Sequence, residues 1–351
     1  MTRTDWIDTG VLLLLGAAGG TLAAWIGVPM PYMIGSLTFS AAYTIAWGQL
    51  GREVAFPRPL RFFFVGVIGV MIGSRFTPDL LPLFPVLWPS FLAVTGFVVV
   101  SHAYGYFVLR GLGRYDRTTA TYGAMPGGLI EAITMGEKAG ADVKVLTVQH
   151  FARIILVVVT VPMLFLWLGG EAVGSSAGQA LDNGPSAWTD LVLIAVLAPA
   201  GLWVGRRLHL PAGQLMGPLV VCGGLQLAGA VALHPPPWLL WTAQLVVGAG
   251  LGAQFAGASG RVLGKAFGLG LVSVAGMLVI GAGVAAGLTR ATPEGFEPLF
   301  VSFAPGGMTE MALIALSLDA SPVIVTAHHL ARIMFAVVMV GWVSRRIRRT
   351  S

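Results

Sequence analysis

Long apolar runs separated by short polar gaps cover most of the chain. A helix needs roughly 20 apolar residues to span a bilayer, within a range of about 17–25. By that measure ten spans are predicted, at about 10–28, 31–48, 60–75, 83–109, 143–168, 189–206, 211–233, 238–256, 264–288 and 321–343. Residues 118–137 and 298–318 fit neither a span nor an ordinary loop. Each is moderately apolar, is broken by Pro-Gly-Gly and carries an acid. Proline followed by two glycines does not continue a helix readily. Irregular backbone at membrane depth is tolerated only where protein buries it or it lines a cavity. Both stretches are therefore predicted to be re-entrant or broken-helix segments.

The pattern occurs twice. Gly69, Gly73 and Phe76 recur as Gly248, Gly252 and Phe255, 179 residues later. The same offset carries Pro126-Gly127-Gly128 and Glu131 onto Pro305-Gly306-Gly307 and Glu310. It also carries Thr147, His150, Ala152, Arg153 and Ile154 onto Thr326, His329, Ala331, Arg332 and Ile333. Near the start of each copy, Pro29, Gly35 and Leu37 match Pro211, Gly217 and Leu219 at an offset of 182. Chance apolar similarity does not reproduce proline, glutamate, histidine and arginine in one order. The expected organisation is an all-α polytopic membrane protein in which residues 1–175 and 185–351 are two repeats of one intertwined domain. Five spans per copy, an odd number, invert the second copy relative to the first, a recurrent transporter plan. The Gly69/Gly73 and Gly248/Gly252 pairs are expected to serve close helix packing.

Composition supports the membrane reading and limits the alternatives. Hydrophobic residues make up 56% of the chain and charged residues 10%, against about 25% charged in soluble domains. The 48 glycines lie within apolar runs, as they do in transmembrane helices. Alternating the gaps between two sides places 17 of the 21 Lys and Arg residues with both termini and only Arg75 and Arg290 opposite. The positive-inside rule assigns the rich side to the cytoplasm. A net charge of +6 spread over such gaps offers no basic face for nucleic acid. The single cysteine, Cys222, lies in an apolar run, so no disulfide framework or cysteine-built metal site is expected. The run from Val11 to Val28 is read as the first span rather than a removed signal.

Ionisable groups at membrane depth are costly and mark functional candidates. Thr147, His150 and Arg153 share one helical face, as do Thr326, His329 and Arg332, because residues three apart are neighbours. His328 stands where the first copy has Gln149. For Glu131 and Glu310 two readings stay open. Each can stabilise its own helix N-terminus, with Arg153 or Arg332 as a buried strut. Alternatively, amide N–H groups left free by the Pro126-Gly127-Gly128 and Pro305-Gly306-Gly307 backbone can receive an anion, with arginine supplying a planar fork and glutamate or histidine a titrating group. His102, Gln214, Gln226, Gln244 and Gln254 are expected to be helix-to-helix hydrogen-bond partners. Tryptophans 6, 25, 47, 188, 238 and 241 fall near proposed span ends, like an interfacial belt.

At its paired Pro-Gly-Gly-x-x-Glu and His-x-Ala-Arg blocks, and specifically at Met125-Pro126-Gly127-Gly128 and Ala304-Pro305-Gly306-Gly307, the chain resembles the bacterial membrane AbrB family. Members also carry the labels ammonia monooxygenase and transcriptional regulator. The resemblance covers nearly the whole chain and implies a polytopic transporter of the bacterial inner membrane, without naming a cargo. The expected function is secondary transport of a small organic anion by alternating access, with H+ or Na+ as coupling ion and no resident cofactor. A homodimer is the assembly expected by analogy with other inverted-repeat carriers. The competing classes are a membrane enzyme, for which no HExxH or GxSxG occurs, and a channel or membrane regulator.

Overall fold

The computed structural model of the chain describes residues 3–52, 54–78, 81–169, 187–256, 260–318 and 320–348. Among these residues all regular structure is helical. The first half contains α1 (Arg3–Trp25), α2 (Pro31–Gln49), α3 (Arg58–Gly73), α4 (Leu83–Val86) and α5 (Trp88–Phe107), which runs on through a π turn at Val108–Leu112. It continues with α6 (Arg117–Gly123), α7 (Leu129–Lys138) and α8 (Val143–Gly169). The second half contains α9 (Trp188–Arg207), α10 (Gly213–Leu227) and α11 (Pro237–Gly252), which ends in a 3-10 turn at Ala253–Phe255. It closes with α12 (Gly260–Leu288), α13 (Phe296–Phe303), α14 (Met308–Ser317) and α15 (Pro322–Arg348). The predicted joint between the copies, 175–185, lies outside the described residues.

Nine of the ten predicted spans fall on one of these helices each, and the span at 83–109 covers α4, α5 and the start of the π turn. Six of them, α1, α5, α8, α9, α12 and α15, are long and apolar enough to cross a membrane. The other four, α2, α3, α10 and α11, do not reach that measure. Helices α3, α10 and α11 have 16, 15 and 16 residues, while α2 dilutes its apolar residues with serine, threonine and tyrosine.

The chain forms two compact units, each drawing on both halves of the sequence. One comprises Met1–Leu81, Val159–Ala258 and Ala312–Val323. Its helices approach closely at the repeated glycines. A methyl on Gly69 would lie 2.6 Å from the Leu215 carbonyl oxygen, and one on Gly73 would lie 2.7 Å from Cys222 Cβ, so α3 rides directly on α10. In the second copy Gly252 would meet the Ala41 amide at 2.6 Å and Gly248 would collide with Ser36, setting α11 against α2 in the same way. Small residues of this kind let membrane helices pack backbone to backbone. Helices α2 and α10 also start alike. Met30 (φ 46°) and Ala212 (φ 45°) precede them in the left-handed region, 182 residues apart, at a conformational cost of about 1–3 kcal/mol for a non-glycine residue.

The other unit comprises Pro82–Val158, Ser259–Met311 and Ile324–Ser351. It contains the two Pro-Gly-Gly breaks with α6, α7, α13 and the first turn of α14, and the parts of α8 and α15 that bear His150, Arg153, His329 and Arg332.

Candidate functional site

Proline and two glycines stop α6 after Gly123 and α13 after Phe303. A helix end leaves its last carbonyls without intrahelical partners, and donors must come from elsewhere when that end is buried. Here they come from α8 and α15. His150 Nε2 donates to the Tyr122 carbonyl at 3.1 Å, and Arg153 Nη1 donates to that of Met125 at 2.5 Å. The second copy repeats the pattern at the offset of 179. His329 Nε2 donates to Val301 O at 2.9 Å, and Arg332 Nη1 donates to Ala304 O. Arg332 adds a bond from Nη2 to Gly306 O at 2.6 Å. Basic groups at a helix C-terminus also complement its dipole.

On the opposite sides of the breaks each helix carries an acid in its first turn. At the start of α7, Gly127 (φ 147°) and Gly128 (φ 68°) adopt conformations that residues with a Cβ rarely take. A methyl on Gly128 would sit 3.0 Å from Glu131 Oε2, and one on Gly307 would collide with Glu310 Oε2. Both carboxylates therefore fold back over the N-terminus of their own helix, where negative charge is favoured. Glu131 is half-buried, whereas Glu310 is buried.

His150 and His329 are 0% exposed, Arg332 1% and Arg153 5%, so these groups face protein rather than lipid. The two breaks come together at Arg332. Its fork holds the second break, and a methyl on Gly127 of the first break would lie 3.3 Å from its Nε. Among the described residues, Arg153 Nε, Arg332 Nε, His150 Nδ1 and His329 Nδ1 have no hydrogen-bond partner. Arginine carries five N–H donors, so the site keeps positive charge and donor capacity after its carbonyl bonds are made. Of the other predicted residues, Pro126 and Pro305 are buried within the breaks. Thr147 bonds its own helix at Val143 O, and Thr326 is buried.

Sequence reasoning missed the carbonyl acceptors, because a peptide carbonyl leaves no residue-type signal. It also missed Ser90, whose Oγ lies 2.8 Å from His328 Nε2 under the stacked ring of Phe91, 4.3 Å between centroids. Among the described residues no group of three His, Cys, Asp or Glu side chains is placed to hold a metal ion.

Together these features define an all-helical, membrane-embedded protein whose ionisable groups gather at two interrupted helices. The chain belongs to the AbrB family: the family profile described as "Transition state regulatory protein AbrB" matches residues 42–348. It is similar to the "Putative regulator AbrB" of Escherichia coli K12, with 27% identity over 303 residues covering 85% of each chain. It is also similar to the protein YhjN of Bacillus subtilis 168, with 22% identity over 352 residues covering 93% of this chain and 90% of that one.

Proposed function

We propose that the protein is a secondary transporter of a small organic anion, working by alternating access in the bacterial inner membrane. The observation that carries this reading is the convergence of both Pro-Gly-Gly breaks on the buried guanidinium of Arg332, with Arg153 in the matching place of the first copy. A buried cation is expensive unless it is compensated. Carbonyl dipoles compensate these two, and an anion arriving at the unused donors would do so further. Discontinuous helices at the meeting point of two repeats are the usual setting of transporter sites.

In this reading the repeats are inverted. The segment around Gly127 enters the membrane from the cytoplasm, the segment around Gly306 enters from outside, and both termini are cytoplasmic. H+ or Na+ supplies the driving gradient, and one group of helices moves against the other. Single cysteines test the orientation in a Cys222→Ala background, since Cys222 is the one native thiol. Ile130→Cys and Thr309→Cys, 179 residues apart, should be labelled by an impermeant maleimide from opposite faces of the membrane. Labelling of both from the same face under every condition would rule out the inverted arrangement.

A further inference from the structure

The two copies are not equivalent beside their arginines. Next to Arg153 lies a small cavity of about 10 Å³ for water-sized occupants, lined by Gly105, Gly123, Ala124, Gln149, Ser273 and Met277 among others. Three of its buried lining residues carry a polar atom without a partner among the described residues: Arg153 Nε, Gln149 Oε1 and Ser273 Oγ. The orientation of Gln149 is fixed by its amide nitrogen, which donates to Ala266 O at 3.4 Å and leaves the oxygen for the cavity.

Beside the second break the corresponding place is filled. Gly105 approaches Ala124 as Gly281 approaches Phe303. Residues of α5 therefore match residues of α12 at an offset of 176, while the breaks match at 179. The same register pairs Ser90 with Ala266, the respective partners of His328 and Gln149. It sets Phe97 against Ser273, just as Phe303 stands against Ala124 and His328 against Gln149. Phe97 and Phe303 pack edge to face at 5.5 Å, and His328 lies 6.1 Å from Phe303. Aromatic rings thus stand beside the second break where a serine and an alanine stand beside the first.

We infer that the cavity beside Arg153 is a single-water site, present beside the first break and not beside the second. The chemistry of the three side chains selects water over other small occupants. Arg153 Nε–H donates, Gln149 Oε1 accepts, and the Ser273 hydroxyl does either, which matches the two to four polar partners of a typical buried water. A cation is repelled by the guanidinium, and an anion would face the Gln149 oxygen. The volume admits one water and no organic acid, so the site is separate from any position at which cargo binds. The water completes hydrogen bonds of Arg153, Gln149 and Ser273, whereas beside the second break the aromatic plug takes up the space and Arg332 Nε keeps no partner among the described residues. The first break is thereby wet and the second dry.

Radiolytic hydroxyl-radical footprinting of the full-length protein in lipid nanodiscs tests this directly, because radicals form from bound water and oxidise the nearest susceptible side chain. Met277 lines the cavity although only 1% exposed, and methionine oxidises readily. It should be modified several-fold faster than Met71, 0% exposed in the other unit. Phe97 and Phe303 should stay unmodified. Ser273→Val, which replaces the hydroxyl with a methyl and adds a second methyl, should bring Met277 down to the Met71 rate, and Ala124→Phe with Ser273→Phe should do the same by copying the plug. Equal rates for Met277 and Met71 in the unsubstituted protein would overturn the inference, whether or not the variants fold. So would modification of Phe97 and Phe303 as fast as that of Met277.

Discussion

Arg332 holds two carbonyls of its break and Arg153 holds one, and this difference sets an order of stabilities. Each buried acceptor stripped of its donor costs about 1–3 kcal/mol. Arg332→Ala should therefore lower the melting midpoint further than Arg153→Ala, and equal shifts would contradict the assignment of these bonds. Arg332→Lys should recover little, since an ammonium on a flexible stem cannot fork onto two fixed carbonyls. Outside the spans, Asp116 caps α6 by accepting from the amides of Thr118 and Thr119, both at 2.9 Å. Burial pushes its carboxyl up, but the hydrogen bonds from Thr119 and Thr118 outweigh it and hold the group below its usual 3.8. A carboxylate lowered in the folded state contributes stability above its unfolded pKa and loses it as pH falls through the folded one. Asp116→Ala should cost about 1 kcal/mol at neutral pH. Asp116→Asn should keep the cap and remove its acid sensitivity, which melting curves between neutral and strongly acidic pH will show. The histidines and arginines were legible in the sequence because ionisable residues stand out in an apolar run. Their partners were not, since main-chain carbonyls carry no residue identity.

Among the elements, the glycines separate into those that hold helices together and those that merely occur in them. Gly69→Ala would drive a methyl to 2.6 Å from the Leu215 carbonyl, a backbone atom that cannot step aside, whereas Gly96 and Gly268 have nothing within 4 Å of an added Cβ. Gly69→Ala should thus destabilise the protein measurably. Alanine at Gly96 or Gly268 should be neutral or stabilising by up to about 1 kcal/mol, the helix-propensity difference. Similar losses at all three positions would argue against the close approach of α3 and α10. The GxxxG spacing announced this packing in advance, and Pro-Gly-Gly announced both breaks. The partners of each helix could not be read, because a 3.6-residue period says which face is apolar and not which neighbour covers it. The left-handed starts of α2 and α10 were also hidden. Met30 and Ala212 lack the glycine or asparagine that usually marks such a conformation.

At the scale of the whole molecule, a histidine and an arginine bond to carbonyls of a Pro-Gly-Gly break at two places 179 residues apart. The sequence offsets predict a repeat, but not that each compact unit takes segments from both halves of the chain, since contiguity along a chain does not determine contiguity in space. The transport reading rests on the meeting of the two breaks at Arg332, and flux is its most direct test. Purified protein in proteoliposomes should be offered a panel of labelled small organic acids, with and without a pH or sodium gradient, alongside Glu131→Gln and folded Arg332→Ala or Arg332→Lys. The account predicts saturable, gradient-driven uptake of at least one acid that is lost in the arginine variants and impaired in Glu131→Gln. Full flux in the variants would reduce these residues to struts, and absence of flux for every acid from well-folded protein would contradict the anion-carrier reading itself.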